Sequence, residues 1–202
     1  MRTTRLLAAS VSLLLLLGAL GHAADSAIST HSTESAGAIP GVSQKRAPIN
    51  DETRERIRAQ PKGTRPDPST YLTKTYIEQH LTQFEGGCAR VMPPPTTEII
   101  GPPGGTFIMP RLLLDELLAN SGGNLRKLED ELGLKPGTLP DDCVRIDIPS
   151  CPGLRVPSGN EVGANSDWLP GGFTAGGIPE AVVDQVRPGS YTLSILFPAR
   201  TQ

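Results

Sequence analysis

The stretch TFIMPRLLLDELLANSGGNLRKLEDELG, residues 106–133, decides how this chain folds. Its opening TFIM is β-branched, aromatic and apolar, and predicts a strand. Pro110 then opens a helix, because a residue without an N–H costs nothing in the first turn. PRLLLDELLAN carries leucines at helical spacing, and Gly122-Gly123 stops it. Asn124 caps another helix at once, LRKLEDELG, with Leu125, Leu128 and Leu132 at helical spacing. One strand is followed by two helices in a row, which breaks the strand–helix alternation of a doubly wound sheet.

The flanking sequence extends this pattern. Upstream, TYLTKTYIEQHLTQF predicts a helix with Leu72, Tyr76, Ile77, Leu81 and Phe84 on one face, Thr73 at its start and Gly86-Gly87 at its end. CARVM (88–92) predicts a strand, and PPPTTEIIGPPGG a loop. Downstream, CVRIDI alternates and predicts a strand, as does LRVP (154–157). EAVVDQV and YTLSILF predict two more strands joined by the turn signal RPGS. The expected fold is α+β: a single compact domain over residues 69–202, with a small mixed or antiparallel sheet of about six strands and three helices. No internal repeat is visible.

The N-terminus predicts a signal peptide over residues 1–23. Arg2 and Arg5 precede a leucine-rich core, and Gly21 and Ala23 fit the positions before a cleavage site. The apolar core is too short for a spanning helix, and no later segment is apolar enough to be one. The expected mature chain is exported, periplasmic or extracellular, with no membrane contact beyond the signal peptide. Residues 24–68 are rich in Ser, Ala, Gly, Thr, Pro and charge, and predict a disordered linker or pro-segment. Within them DETRERIRAQ has the potential for one or two exposed helical turns.

Charge and cysteines narrow the function classes. Without Arg2 and Arg5, the 19 basic residues fall to 17 against 21 acidic ones, a net charge of −4. Such a chain is a poor partner for nucleic acid, whose binding rests on neutralising phosphates. Export permits a disulfide among Cys88, Cys143 and Cys151, and the odd count leaves one thiol over. Cys143 and Cys151 flank a predicted strand that holds them apart, so Cys88 with either is the expected pairing. No CxxC or HxxxH spacing points to a metal site. His80, the one histidine of the expected domain, falls mid-helix near the apolar face. There a structural role is the ordinary reading, and a metal-independent nuclease built on it is the weakest of the alternatives.

Candidate site residues come from four segments. FEGGCARVM places Arg90 on the first strand, and TFIMP supplies a second strand that feeds a helix. LRVPSGNEVGANSDW gathers Ser158, Asn160, Asn165 and Trp168, the only tryptophan, in a polar turn-rich loop. GGIPEAVVD sets Glu180 at the start of a late strand. This order resembles the ADP-ribosyltransferase fold, which has an Arg or His on an early strand, a Ser on the second and a Glu at a late strand's start. The span from TFIMP to EAVVD also resembles the layout of RNA 2′-phosphotransferases within that superfamily. The wording PSGNEVGAN…W.PGG…GG.PEAVVD resembles C-terminal toxin domains of bacterial polymorphic and contact-dependent secretion systems. Together these likenesses cover roughly residues 70–184.

The resemblance implies a toxin or effector enzyme that takes NAD as substrate and needs no metal. It would pass ADP-ribose to a target protein, or to water as a glycohydrolase, and an immunity protein is an implied partner. Glu180 would be the catalytic carboxylate, stabilising the oxocarbenium charge that builds on the ribose. Arg90 would hold phosphate or ribose oxygens, Trp168 would stack on a ring, and Ser158, Asn160 and Asn165 would orient polar edges. Met109-Pro110 stand where the family carries its serine, a change that a hydrolytic or merely binding member tolerates better. The alternative expectation is a non-enzymatic secreted binding module that uses the Trp168 loop.

Overall fold

A computed structural model describes residues 47–197; the expected signal peptide and the start of the expected linker lie outside these residues. One antiparallel sheet of five strands organises them: β1 (Cys88–Met92), β2 (Thr106–Pro110), β3 (Val144–Ile148), β4 (Ala181–Val183) and β5 (Thr192–Ile195), in the order β4-β2-β1-β3-β5. Four α-helices accompany it: α1 (Asp51–Arg58), α2 (Lys74–Leu81), α3 (Arg111–Ser121) and α4 (Leu125–Glu131). Short 3-10 turns occupy Pro68–Thr70 and Thr82–Phe84. Among the described residues no helix is long and apolar enough to cross a membrane.

The period of two along each strand sorts side chains into two cores. Cys88, Ile108, Ile146, Ile148, Ala181 and Val183 share one face with Phe84, Ile100 and Val186. Val91 and Met109 belong to the other core, with Leu117 of α3 and Leu128 of α4. The helix pair forms as its sequence predicts. Pro110 precedes α3, Gly122 ends it in the left-handed conformation at φ 60°, and the Asn124 side chain accepts from the N–H groups of Arg126 and Lys127.

Three features depart from expectation. LRVP forms no strand, which leaves five strands instead of about six. Pro152 precedes it and Pro157 ends it, both without donors, and it makes only the bridge Arg155↔Val182. The two strands joined by RPGS do not pair; β4 and β5 lie at opposite edges of the sheet. The wholly buried AVV pairs with β2, Val186 bridges Ile100, and the chain then crosses to β3, where β5 is exposed throughout. The third departure is an additional helix. Residues 47–68, expected as the end of a linker, are folded onto the domain, and α1 brings the helices to four rather than three. Asn50 caps α1 by accepting from Thr53 N–H at 2.8 Å, and Ile57 and Ala47 are buried. Few apolar residues are needed here, because the segment is tied down mainly by hydrogen bonds to loop carbonyls described below.

A disulfide joins Cys88, at the start of β1, to Cys151, just after β3, with Cα atoms 5.7 Å apart and a sequence separation of 63. Cys143 is the buried free thiol. Closing a loop of this length removes unfolded-state entropy worth roughly 4 kcal/mol. Replacing Cys88 and Cys151 together with Ser is expected to lower the unfolding free energy by about that amount. Urea titration checks it, and an unchanged midpoint would exclude the crosslink.

Candidate functional site

The site begins where the central ladder stops. β1 pairs with β3 over all five of its residues, but with β2 only at Cys88↔Pro110 and Ala89↔Met109. Arg90 is the first residue beyond that short ladder, and its guanidinium donates to Thr106 Oγ1 on β2. Burial lowers the Arg90 pKa, while the charge of Glu180 opposes that shift.

Glu180 stands directly before β4, and both of its backbone groups are held from one side. Its N–H donates to Gly172 O at 2.7 Å, and its carbonyl accepts from His80 Nε2 at 3.0 Å. That bond fixes the imidazole with its proton on Nε2; Gln83 Nε2 lies 3.3 Å from the bare Nδ1. Burial holds the His80 pKa low, which keeps the ring neutral. Tyr76, one turn earlier on α2, donates to Gly171 O at 2.7 Å. Gly172 is required here: its φ is +81°, and a Cβ would sit 2.6 Å from His80 Nε2. Thus α2 grips the glycine-rich segment that delivers Glu180.

The Glu180 side chain borders a cavity of about 450 Å³, within the range of small-ligand sites. Arg90, Asn165 and Trp168 line the same cavity. Part of the Glu180 surface stays open to the cavity, but protein surrounds the carboxyl on nearly every side. Burial pushes its pKa up to about 7; the nearby charge of Glu161 adds to this and Arg90 offsets part of it. A carboxyl that titrates near neutrality has the right driving force to exchange protons with a bound molecule.

Of the six residues singled out from sequence, four meet at this cavity and two do not. Ser158 N–H and Oγ both donate to Glu161 Oε1 at 3.0 Å, and Gly159 N–H donates to Glu161 Oε2 at 2.8 Å. Asn160 clamps residues 63–65: its Oδ1 accepts from Gly63 N–H at 2.7 Å and Arg65 N–H at 3.2 Å, and its Nδ2 donates to Arg65 O at 2.9 Å. These two side chains build the loop and do not line this cavity. Asn165 lines the cavity and accepts from Asp167 N–H at 2.9 Å. Trp168 forms a wall. It is 5 % exposed, Arg65 sits 4.7 Å from its ring centroid, and Gly159 packs against its six-membered ring, so little of its face is offered for stacking.

Several residues at the site carry no motif in the sequence. Thr106 partners Arg90 from outside the cavity lining, and Lys135 and Thr138 reach the cavity from the loop after α4. That loop is held by Glu129, which is 1 % exposed and accepts from Leu139 N–H at 2.6 Å, Gly137 N–H at 2.9 Å and Arg126 Nη1 at 2.6 Å. A buried acid between leucines in a helical stretch is the signal that was present for this anchor. Among the described residues no cluster of three or more His, Cys, Asp or Glu is placed to hold a metal ion. No protein-family model matches the chain, and no curated protein matches it.

The raised pKa makes Glu180 a cost to the fold. Between the ordinary value of 4.5 and about 7 the native state binds a proton that the unfolded state has lost, so stability falls as pH rises through that window. The shift corresponds to at most about 3 kcal/mol. Glu180→Gln is therefore expected to be more stable than the parent at pH 8 and equal to it at pH 4, as thermal unfolding at the two pH values would show. Asn160→Ala is expected to cost about 1–3 kcal/mol through the orphaned Gly63 and Arg65 amides. It should also speed tryptic cleavage at Lys62.

Proposed function

We propose that this chain is an exported toxin or effector enzyme that cleaves NAD, releasing nicotinamide and passing ADP-ribose to a target protein or to water. The observation that carries the reading is the meeting of Glu180 and Arg90, 90 residues apart in sequence, at one cavity, with the Glu180 carboxyl poised near pH 7. An arginine on β1 and a glutamate at the entrance of β4 also support an ADP-ribosyltransferase-like arrangement.

The chemistry follows from the charge that builds. When the bond from ribose C1′ to the nicotinamide nitrogen breaks, its electron pair leaves with the ring and positive charge remains on the ribose. A carboxylate enclosed by protein stabilises that charge far more than one in water. The cationic pyridinium of the incoming ligand favours the ionised form of Glu180. In hydrolysis, water adds to C1′ and its proton passes to the Glu180 carboxylate, then to solvent. Arg90 and the rim lysine Lys135 supply positive charge for the pyrophosphate. Metal plays no part in this scheme. A target protein and an immunity protein are the proposed partners, and delivery into another cell supplies the NAD that the exported space lacks.

A second reading, a non-enzymatic binding module, draws on two observations: the Trp168 ring is packed rather than open, and Met109-Pro110 occupy the place of the family's serine. The nuclease reading has no comparable support, since His80 is buried, neutral and committed to the Glu180 carbonyl. Nicotinamide release from NAD, followed by chromatography, separates the first two. Glu180→Gln is expected to lose roughly 100-fold or more of the turnover. For the parent enzyme kcat/KM is expected to rise with pH through about 7 as Glu180 ionises. Turnover undiminished in Glu180→Gln would overturn the mechanism; no quenching of Trp168 fluorescence by NAD and no protection against heat would favour the binding module.

A further inference from the structure

Two pairs of adjacent basic residues occur in the chain, Lys45-Arg46 and Arg126-Lys127. The second lies inside α4, and both of its side chains are engaged. Arg126 donates to Glu129 Oε2 at 2.6 Å and to Leu139 O at 3.2 Å, and Lys127 donates to Asn120 O at 2.6 Å. The first pair stands immediately before Ala47, which is buried with Leu72 and Val156. No Lys or Arg occurs between Arg5 and Lys45, and residues 24–44 offer only Ile28, Ile39 and Val42 as large apolar side chains. Such a stretch brings no core of its own.

Ala47 has a defined seat. A Cβ at Gly171 would overlap its methyl group. Gly171 O accepts from Tyr76 and Gly172 O from Glu180 N–H, so the seat adjoins the segment that delivers Glu180. Behind Ala47, Arg58, Lys62 and Arg65 donate to the carbonyls of Ser166, Val162 and Gly159. A cut before Ala47 spares the seat and these bonds, whereas a cut at any basic residue from Arg54 to Arg65 would divide the segment that makes them. We propose that the Arg46–Ala47 bond is a processing site for an endopeptidase whose acidic pockets take two consecutive basic side chains, and that Ala47 is the N-terminus of the working domain. Water is the co-reactant. Its oxygen adds to the Arg46 carbonyl carbon, the C–N bond breaks, and the acid proton passes to the amine, leaving an Arg46 carboxylate and an Ala47 ammonium group. The bond is cut when Ala47 lifts from its seat, a local opening that unpacks one methyl group. This rests on the export in the reading above and on none of its NAD chemistry. Residues 24–46 are removed, and residues 47–68 stay in the mature protein.

The test has two arms. In the first, the full chain is incubated with a purified subtilisin-like endopeptidase specific for paired basic residues. N-terminal sequencing and intact mass are expected to show one product that begins at Ala47 and resists further cleavage. Its thermal midpoint is expected to equal that of the uncut chain. Lys45→Ala and Arg46→Ala are each expected to abolish the cut. A chain left intact at Arg46, or cut as fast at Arg126-Lys127, would overturn the proposal, as would Lys45→Ala cut as fast as the parent. A product that melts at a lower temperature would assign residues before Ala47 to the fold and overturn it too. In the second arm, the full chain is expressed with its own leader in a secreting cell that makes such an endopeptidase. Secreted chain beginning at Ala47 is the expected result, and secreted chain that keeps the residues before Ala47 would overturn the proposal while export stands. A chain held inside the cell would remove export, and processing with it. Nicotinamide release judges the NAD chemistry separately in either case.

Discussion

The backbone of Glu180 is held by two hydrogen bonds on one side, to Gly172 O and from His80 Nε2, and the candidate site depends on that grip. A carboxyl enclosed by protein repels burial, and a flexible chain would relieve the cost by swinging it into water. Here the segment before β4 has no such freedom. From α2, Tyr76 pins the Gly171 carbonyl and His80 the Glu180 carbonyl, and β4 pins the next residues through its ladder with β2. The side chain is left to face the cavity beside Arg90, and its charge is disfavoured in consequence.

Carboxyls whose charge the fold disfavours are of the kind concentrated at functional sites. The fold supplies what offsets the cost. The Cys88–Cys151 disulfide ties the beginning of β1 to the end of β3, so the part of the sheet next to Arg90 is anchored even though β1 and β2 share only two residue pairs. The short ladder is what makes room. Had β1 and β2 paired along their full length, the space between Arg90 and Phe107 would have been closed by backbone hydrogen bonds.

The N-terminal segment matters to the site in a different way. Arg58, Lys62 and Arg65 donate to the carbonyls of Ser166, Val162, Ala164 and Gly159, so a charged strap holds the loop that carries Asn165 and Trp168. Exposed ion pairs contribute little, but carbonyls that already lack partners gain from each such donor. The loop has few apolar side chains of its own, and the strap replaces the packing it lacks. Glu161 completes the arrangement from inside the loop, by accepting from three donors at Ser158 and Gly159.

Local patterns in the sequence determined the elements: the strand at residues 106–109 running into a helix at Pro110, the glycine stop, the Asn124 cap, the strands at 88–92 and 143–148. Each rests on interactions within a few residues, which composition and spacing encode directly. They also pointed to a single α+β sheet, and the resemblance singled out Arg90 and Glu180, which line one cavity. Tertiary structure alone decided the rest. Whether LRVP became a strand depended on a partner edge, and whether β4 met β5 depended on which core each one faced. Asn160 left the site and Thr106 joined it through contacts 97 and 16 residues apart in sequence, and Lys135 reached it on a loop that Glu129 anchors. The polar strap escaped a reading based on apolar periodicity because hydrogen bonds, not buried area, hold it. Local rules act over one turn or one pleat; the pKa of Glu180 and the hollow beside it arise from groups that only the folded chain brings together.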